Sequence, residues 1–301
     1  EADMLAVRYM SKAGYDSRTL ETFFRKMAQH TSITQRVRGR PDEDPAGNIM
    51  STHPRTSDRI AQAITLARVP PNANPRVGRE DYLARIDGML WGDSPDEGVV
   101  HGRVFEHPEL RFRFEVPPGF YLINSPSQVS AHGPDRTVIL FNQLVQKEAA
   151  QVRDMRSYVS SWGRGRLRGV ERIDVNGLEA ATGSTRTDTS EGVRDVRLVA
   201  IRFAKDRIYR FLFLTPPEAT PRRGEDLRRV TYSFRALTEA EAKAVKTLKL
   251  RVMTVNPGDT PDKLAGIMPL ESYKLDWFLA LNGLTPGDKL TPGAKVKVVT
   301  P

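Results

Sequence analysis

Apolar and polar positions change rhythm twice along this chain, and the changes divide it into three segments. In the first, residues 1 to about 92, apolar side chains recur at helical spacing: Met4, Leu5, Val7 and Met10, then Leu20, Phe23, Phe24 and Met27, then Ile60, Ala63, Ile64 and Ala67. Gly14 is placed to stop the first of these helices and Asp16 to cap the second. The stretch from Thr31 to Asn48, with Arg38, Gly39, Pro41 and Pro45, reads as a polar loop, and the third helix follows Pro54. A short helix around Tyr82, Leu83, Ile86 and Leu90 then leads to a Gly92-Asp93-Ser94-Pro95 turn.

From about 99 to 247 the period falls to two. Phe112, Phe114 and Val116 alternate with Arg111, Arg113 and Glu115, the pattern of a half-buried strand. Val138 to Phe141, Gly177 to Gly183, Val196 to Phe203 and Ile208 to Leu214 are further strands. Helices are expected over Met155 to Trp162 and Glu225 to Phe234. That order predicts an α+β layer of antiparallel sheet with helices packed on it. The last segment, 250–301, reads as strand, helix, helix, strand. Asp259 or Thr260 caps the first helix, Asn282-Gly283 ends the second, and Pro292-Gly293 turns into the final strand.

Composition narrows the functional classes. At 301 residues the chain has room for two or three cores, and 39% hydrophobic with 28% charged residues suits globular domains. No run approaches the apolar length of a membrane span. There is no Cys, which excludes disulfides, thiolate chemistry and Cys-ligated zinc. The net charge of +9 comes mostly from Arg. It reads either as attraction to an anionic partner or as a solvated Arg-rich surface. Arg164, Arg166, Arg168 and Arg172 cluster after Trp162. Gly163 and Gly165 among them point to a helix end and loop, and with no nucleic-acid-binding motif nearby no nucleic-acid partner is expected. The five His (His30, His53, His101, His107 and His132) include no H-E-x-x-H pair, and the His101–His107 spacing does not put both rings on one helical face.

Two short signatures occur in order: Glu1-Ala2-Asp3 at the head of the first helix, then Ser51-Thr52-His53-Pro54 followed by Asp58-Arg59-Ile60. Together they resemble the C-terminal side of the catalytic domain of HtpX/BepA-type zinc metallopeptidases. The resemblance implies an H-E-x-x-H helix and a ligand Glu two positions ahead of Glu1, both outside this sequence. It makes His53 a residue beside the zinc and a possible auxiliary ligand, Asp3 a carboxylate orienting a zinc-bound His, and Arg59 a holder of Asp3 or the His53 loop. The plainer readings stay open: His53 precedes a Pro-initiated helix, Asp3 complements a helix dipole, and Arg59 is solvated. Zinc is expected in the parent protein, while no cofactor and no peptidase activity are expected of residues 1–301 alone.

Two further resemblances complete the expectation. The run from Phe112 to Ser125 and the elements after it resemble the PsbP-like fold. Thr254-Val255-Asn256-Pro257-Gly258-Asp259-Thr260, Leu281-Asn282-Gly283-Leu284 and the closing strand resemble a LysM module. The latter implies a shallow glycan groove at Gly258, Asp259, Thr260, Asn282 and Leu284, with Trp277 and Phe278 in the core. The resulting fold class is multidomain α and α+β: the helical tail of a zincin catalytic domain (1–92), an antiparallel-sheet α+β domain (99–247) and a small βααβ domain (250–301). The expected protein is part of a bacterial zinc metalloendopeptidase of envelope protein quality control, in the periplasm or cell envelope. Its partners would be protein or peptide substrates, with peptidoglycan as a candidate. The alternative is a non-catalytic peptidoglycan-binding or scaffold protein.

Overall fold

The structure, a computed structural model, describes residues 2–17, 19–37, 65 and 74–301. The chain forms two compact units, one from residues 1–91 with 248–301 and one from 92–247. The segments read separately as 1–92 and 250–301 therefore share a unit. Both units are mixed α and β with antiparallel strand pairing.

The chain opens with α1 (Ala2–Lys12) and α2 (Thr19–Val37). Helix α1 stops at Gly14, whose φ of +85° is the left-handed conformation that glycine adopts at little cost. Tyr15 N donates to Met10 O and Gly14 N to Ser11 O, which closes the helix end as a Schellman motif. Val7 is fully buried and Met4 and Met10 half-buried. Leu5, expected on that stripe, is 40% exposed, so the buried face is narrower than its apolar spacing suggested.

Helix α2 runs through Val37, well past Thr31, where a polar loop was expected. Thr31 and Thr34 donate their hydroxyls to the carbonyls of Met27 and His30, so these side chains are satisfied inside the helix. Thr31, Ile33 and Gln35 are buried, and tertiary packing there outweighs weak helix propensity. The expected loop from 38 to 48 and the third helix after Pro54 lie outside the described residues. Next come α3 (Arg79–Ile86), which buries Leu83 and Ile86, and β1 (Leu90–Trp91). Leu90 thus belongs to a strand and not to the short helix assigned to it.

The second unit begins with β2 (Val99–His101), β3 (Val104–His107), β4 (Phe112–Glu115), β5 (Tyr121–Ser125), β6 (Gln128–His132) and β7 (Val138–Gln143). Helices α4 (Gln146–Ala149) and α5 (Met155–Trp162) follow. Then come β8 (Arg168–Val175), β9 (Leu178–Thr189), β10 (Gly192–Ala204) and β11 (Arg207–Thr215). Helix α6 (Thr220–Ser233), β12 (Arg235–Ala236) and α7 (Glu239–Ala244) close the unit. One sheet has the order β5-β6-β7-β11-β10-β9-β8 and the other β12-β4-β3-β2.

Both faces of the larger sheet are covered. Phe141, Val199, Phe211 and Phe213 pack with Phe105, Phe112 and Phe114 of the smaller sheet and with Leu227, Val230 and Phe234 of the α6 region. On the opposite face Ala181, Val196, Leu198 and Ala200 pack with Met155 and Val159 of α5. Double burial explains why Leu198 to Ile201 is a continuous apolar run and not an alternating one.

The first unit is completed by β13 (Leu248–Thr254), α8 (Pro261–Gly266), α9 (Lys274–Asn282) and β14 (Lys295–Thr300), with β1 extending the sheet in the order β1-β13-β14. The strand-helix-helix-strand order is as the sequence suggested. Phe278 is fully buried, and Trp277 packs against the same core, edge-on to Trp91 at 5.7 Å and to His30 at 5.1 Å.

Candidate functional site

Of the three residues assigned to a peptidase site, the structure describes one. Asp3 sits in the first turn of α1, where its carboxylate complements the helix dipole. His53 and Arg59 lie outside the described residues. Among the described residues no group of three or more His, Asp and Glu converges in a way that could hold a metal ion. These residues do not by themselves supply the donor set of a zinc centre. No helix among them is long and apolar enough to cross a membrane.

The remaining histidines of the second unit have structural partners. His101 on β2 places Nδ1 3.1 Å from Glu106 Oε2 and Nε2 2.9 Å from the Lys246 carbonyl. His107 on β3 is buried, and its Nδ1 accepts from Leu110 N at 3.2 Å. Burial pushes its pKa down to about 4, the Arg207 charge adding to the effect and Asp96 opposing it.

The residues expected to line a glycan groove are largely committed to holding their own loops. Asp259 accepts from Asn256 N at 2.8 Å and from Lys263 Nζ at 2.6 Å, and the Lys263 ammonium holds its carboxyl below the usual range. Thr260 caps α8 by accepting from Lys263 N. Asn282 donates to the carbonyls of Phe278 and Lys297 and accepts from Lys297 N at 2.7 Å, which ties α9 to β14. Gly283 turns at φ +67°, and a Cβ there would lie 2.7 Å from Lys26 Cε, so α2 packs directly on this loop. Leu284 packs into the local core and also lines a cavity of about 470 Å³ between α2 and α9, beside Ile33 and Leu279. What remains for a sugar at these positions is backbone and Leu284, not free polar side chains.

A second concavity emerges that no short motif announced. It measures about 710 Å³ and lies between α6 and the β8-β9-β10-β11 end of the larger sheet. Strand register builds it: Arg168 faces Ser184, Ser184 faces Arg197, and Arg197 faces Phe213, so these side chains share one row and one face. The neighbouring row is Arg186, Asp195 and Thr215. Thr220, Gly224 and Leu227 come from one side of α6. Asp195 is fully engaged, taking two bonds from Arg186 and one from the Thr220 hydroxyl at 2.7 Å. The Arg164 to Arg172 cluster contained the one sequence signal for this cleft. Arg166 and Arg168 line it, whereas Arg172 pairs with Asp154 at the N-terminus of α5.

The model of peptidase family M48, a family of zinc-dependent peptidases, matches residues 1–67, and that stretch is related to the family. No curated protein matches the chain. Solved structures similar to it include one from Bacteroides thetaiotaomicron, at 11% identity and a TM-score of 0.34, with 56% of this chain and 57% of that chain covered. This chain therefore spans a little over half the length of that one. Cyanobacterial PsbP (CyanoP) from Synechocystis sp. PCC 6803 is similar at 15% identity and a TM-score of 0.32, over 48% of this chain and 98% of that chain. The Ran-binding protein Mog1p from Saccharomyces cerevisiae is similar at 14% identity and a TM-score of 0.31, over 47% and 98% respectively.

Proposed function

We propose that residues 1–67 form the C-terminal side of a zinc metallopeptidase catalytic domain, in a protein that hydrolyses misfolded or misassembled proteins of the bacterial envelope. The observation that carries this reading is the M48 match, because its span includes Ala2-Asp3, Thr52-His53-Pro54 and Arg59 together. In that setting zinc would supply an activated water, with a Glu as general base. Asp3 would orient a zinc-bound His through its second ring nitrogen. His53 would stand beside the metal, where imidazole can donate to a developing oxyanion. Arg59 would hold Asp3 or the His53 loop in place.

The natural reading frame tests this first. On the 5′ side of Glu1 it should encode Glu two positions earlier and H-E-x-x-H some tens of residues before that. A frame without H-E-x-x-H would remove the enzymatic reading and favour a scaffold protein.

The strand-helix-helix-strand order of residues 248–300 supports a LysM-like localising role as the second part of the proposal. With Asp259 and Asn282 engaged internally, glycan contacts would come from backbone groups near Gly258 and from Leu284. Shallow sites of this kind bind weakly. Pull-down of the chain on insoluble peptidoglycan should persist at about 0.5 M salt, where the Debye length is only a few ångströms. Retention that disappears with salt would reduce the interaction to the adhesion of a chain of net charge +9.

A further inference from the structure

The concavity beside α6 is unusual for how its charge is left. Arg186 is neutralised by Asp195 at 2.6 Å, but no carboxylate among the described residues pairs with Arg166, Arg168 or Arg197. Arg197 is the decisive one. Its aliphatic stem and Nε are drawn into the sheet, where Nε donates to Thr182 Oγ1 at 3.1 Å and that hydroxyl donates to the Leu198 carbonyl at 2.9 Å. Its terminal nitrogens meet no protein acceptor among the described residues. Burial disfavours its charged form and nearby Arg228 adds to that, while Tyr232 and the Glu171 carboxylate, neither within ion-pair distance, partly oppose it. A cation held in this way costs stability unless something pairs with it.

The surroundings define what would pair with it. Arg197 and Arg168 flank Ser184 in one row, and both line the concavity, Arg197 part-buried and Arg168 exposed at its rim. Guanidinium groups match phosphate and carboxylate oxygens through two parallel bonds. On the other side the row continues into Phe213, which with Leu227 of α6 lines the base of the cleft, both side chains being largely buried in the core. At Gly224 an added Cβ would meet nothing within 4 Å, so the helix leaves space open where a ligand stem would lie. A volume of about 710 Å³ falls in the range of small-molecule sites.

We propose that this cleft binds a small amphiphilic anion, with a phosphate or carboxylate head group between Arg197 and Arg168 and an apolar stem along Phe213 and Leu227. The site is independent of the peptidase reading, since it is built entirely from residues 166–227. Isothermal titration of the whole chain with hexyl phosphate, hexanoate, inorganic phosphate and hexanol tests it. At least one of the two amphiphilic anions should bind more tightly than both inorganic phosphate and hexanol, and the tighter of the two identifies the head group. Arg197→Met should weaken that binding by about tenfold or more, the scale of a lost charge-assisted pair. Its thermal midpoint should stay level or rise, because a part-buried cation without an ion-pair partner has been removed. Gly224→Leu, which fills the space without altering charge, should weaken it as well. Failure of both anions to bind at millimolar concentration, hexanol binding as tightly as they do, or affinities within twofold of the parent in both variants would overturn the proposal.

Discussion

Phe112→Ala should destabilise the unit formed by residues 92–247 by about 3–5 kcal/mol, the range for removing a large aromatic side chain from a core. Phe112 is 2% exposed and stands at the crossing of the two sheets. Its ring lies 4.4 Å from that of Tyr209, 5.5 Å from those of Phe141 and Phe234, and 5.9 Å from that of Phe105. These neighbours come from β11, β7, β3 and the segment after α6, so none can collapse into the void without moving its own element. Val145→Ala, at a position 63% exposed in the same unit, should change stability by less than about 0.5 kcal/mol. Denaturant unfolding of the two variants checks the contrast, and a Phe112→Ala cost near that of Val145→Ala would refute the described core.

Acid should weaken the same unit through His107. The folded pKa of about 4 lies below the ordinary value of 6.5, so between these values the unfolded chain binds a proton that the folded chain refuses. The contribution is fully present above about pH 6.5 and is lost as pH falls through 6.5 towards 4, about 3 kcal/mol in all. The physical cause is burial, reinforced by the Arg207 charge, and the Leu110 N–H uses the Nδ1 lone pair as its acceptor. His107→Asn removes the titration, so its stability should fall less steeply than that of the parent between pH 6.5 and 4. Subtracting the two curves isolates this residue from the carboxylates, which titrate in both proteins. Parallel curves would show that His107 takes up its proton without resistance.

The sequence was legible where pattern and environment agree. The alternation around Phe112 and Phe114 and the apolar runs of β7, β10 and β11 identified those strands, because their burial repeats the pattern directly. Strand β8 was missed for the opposite reason. It is the terminal strand of its sheet and carries Arg168, Glu171, Arg172 and Asp174, the charged composition with which exposed edges discourage further pairing. The three- and four-residue strands β2 and β3 are too short for a period to register. The Thr238–Glu241 capping box was present in the sequence and could have located α7.

The candidate sites divide in the same manner. Asp3, His53 and Arg59 were reached through short motifs, and the family match covers the stretch that contains them. Asp259, Thr260 and Asn282 were legible as turn and cap residues, and that is the work the structure gives them. The arginine cleft could not be read from spacing. Arg168, Ser184 and Arg197 lie far apart along the chain, and antiparallel register alone brings them into one row.

The peptidase reading is tested most directly by cleavage of an unfolded protein by the natural-length protein that contains residues 1–301. The account predicts hydrolysis that stops with 1,10-phenanthroline and returns with stoichiometric zinc, at a rate that His53→Ala alters without unfolding the protein. Absence of hydrolysis, or hydrolysis that the chelator leaves unchanged, would contradict it.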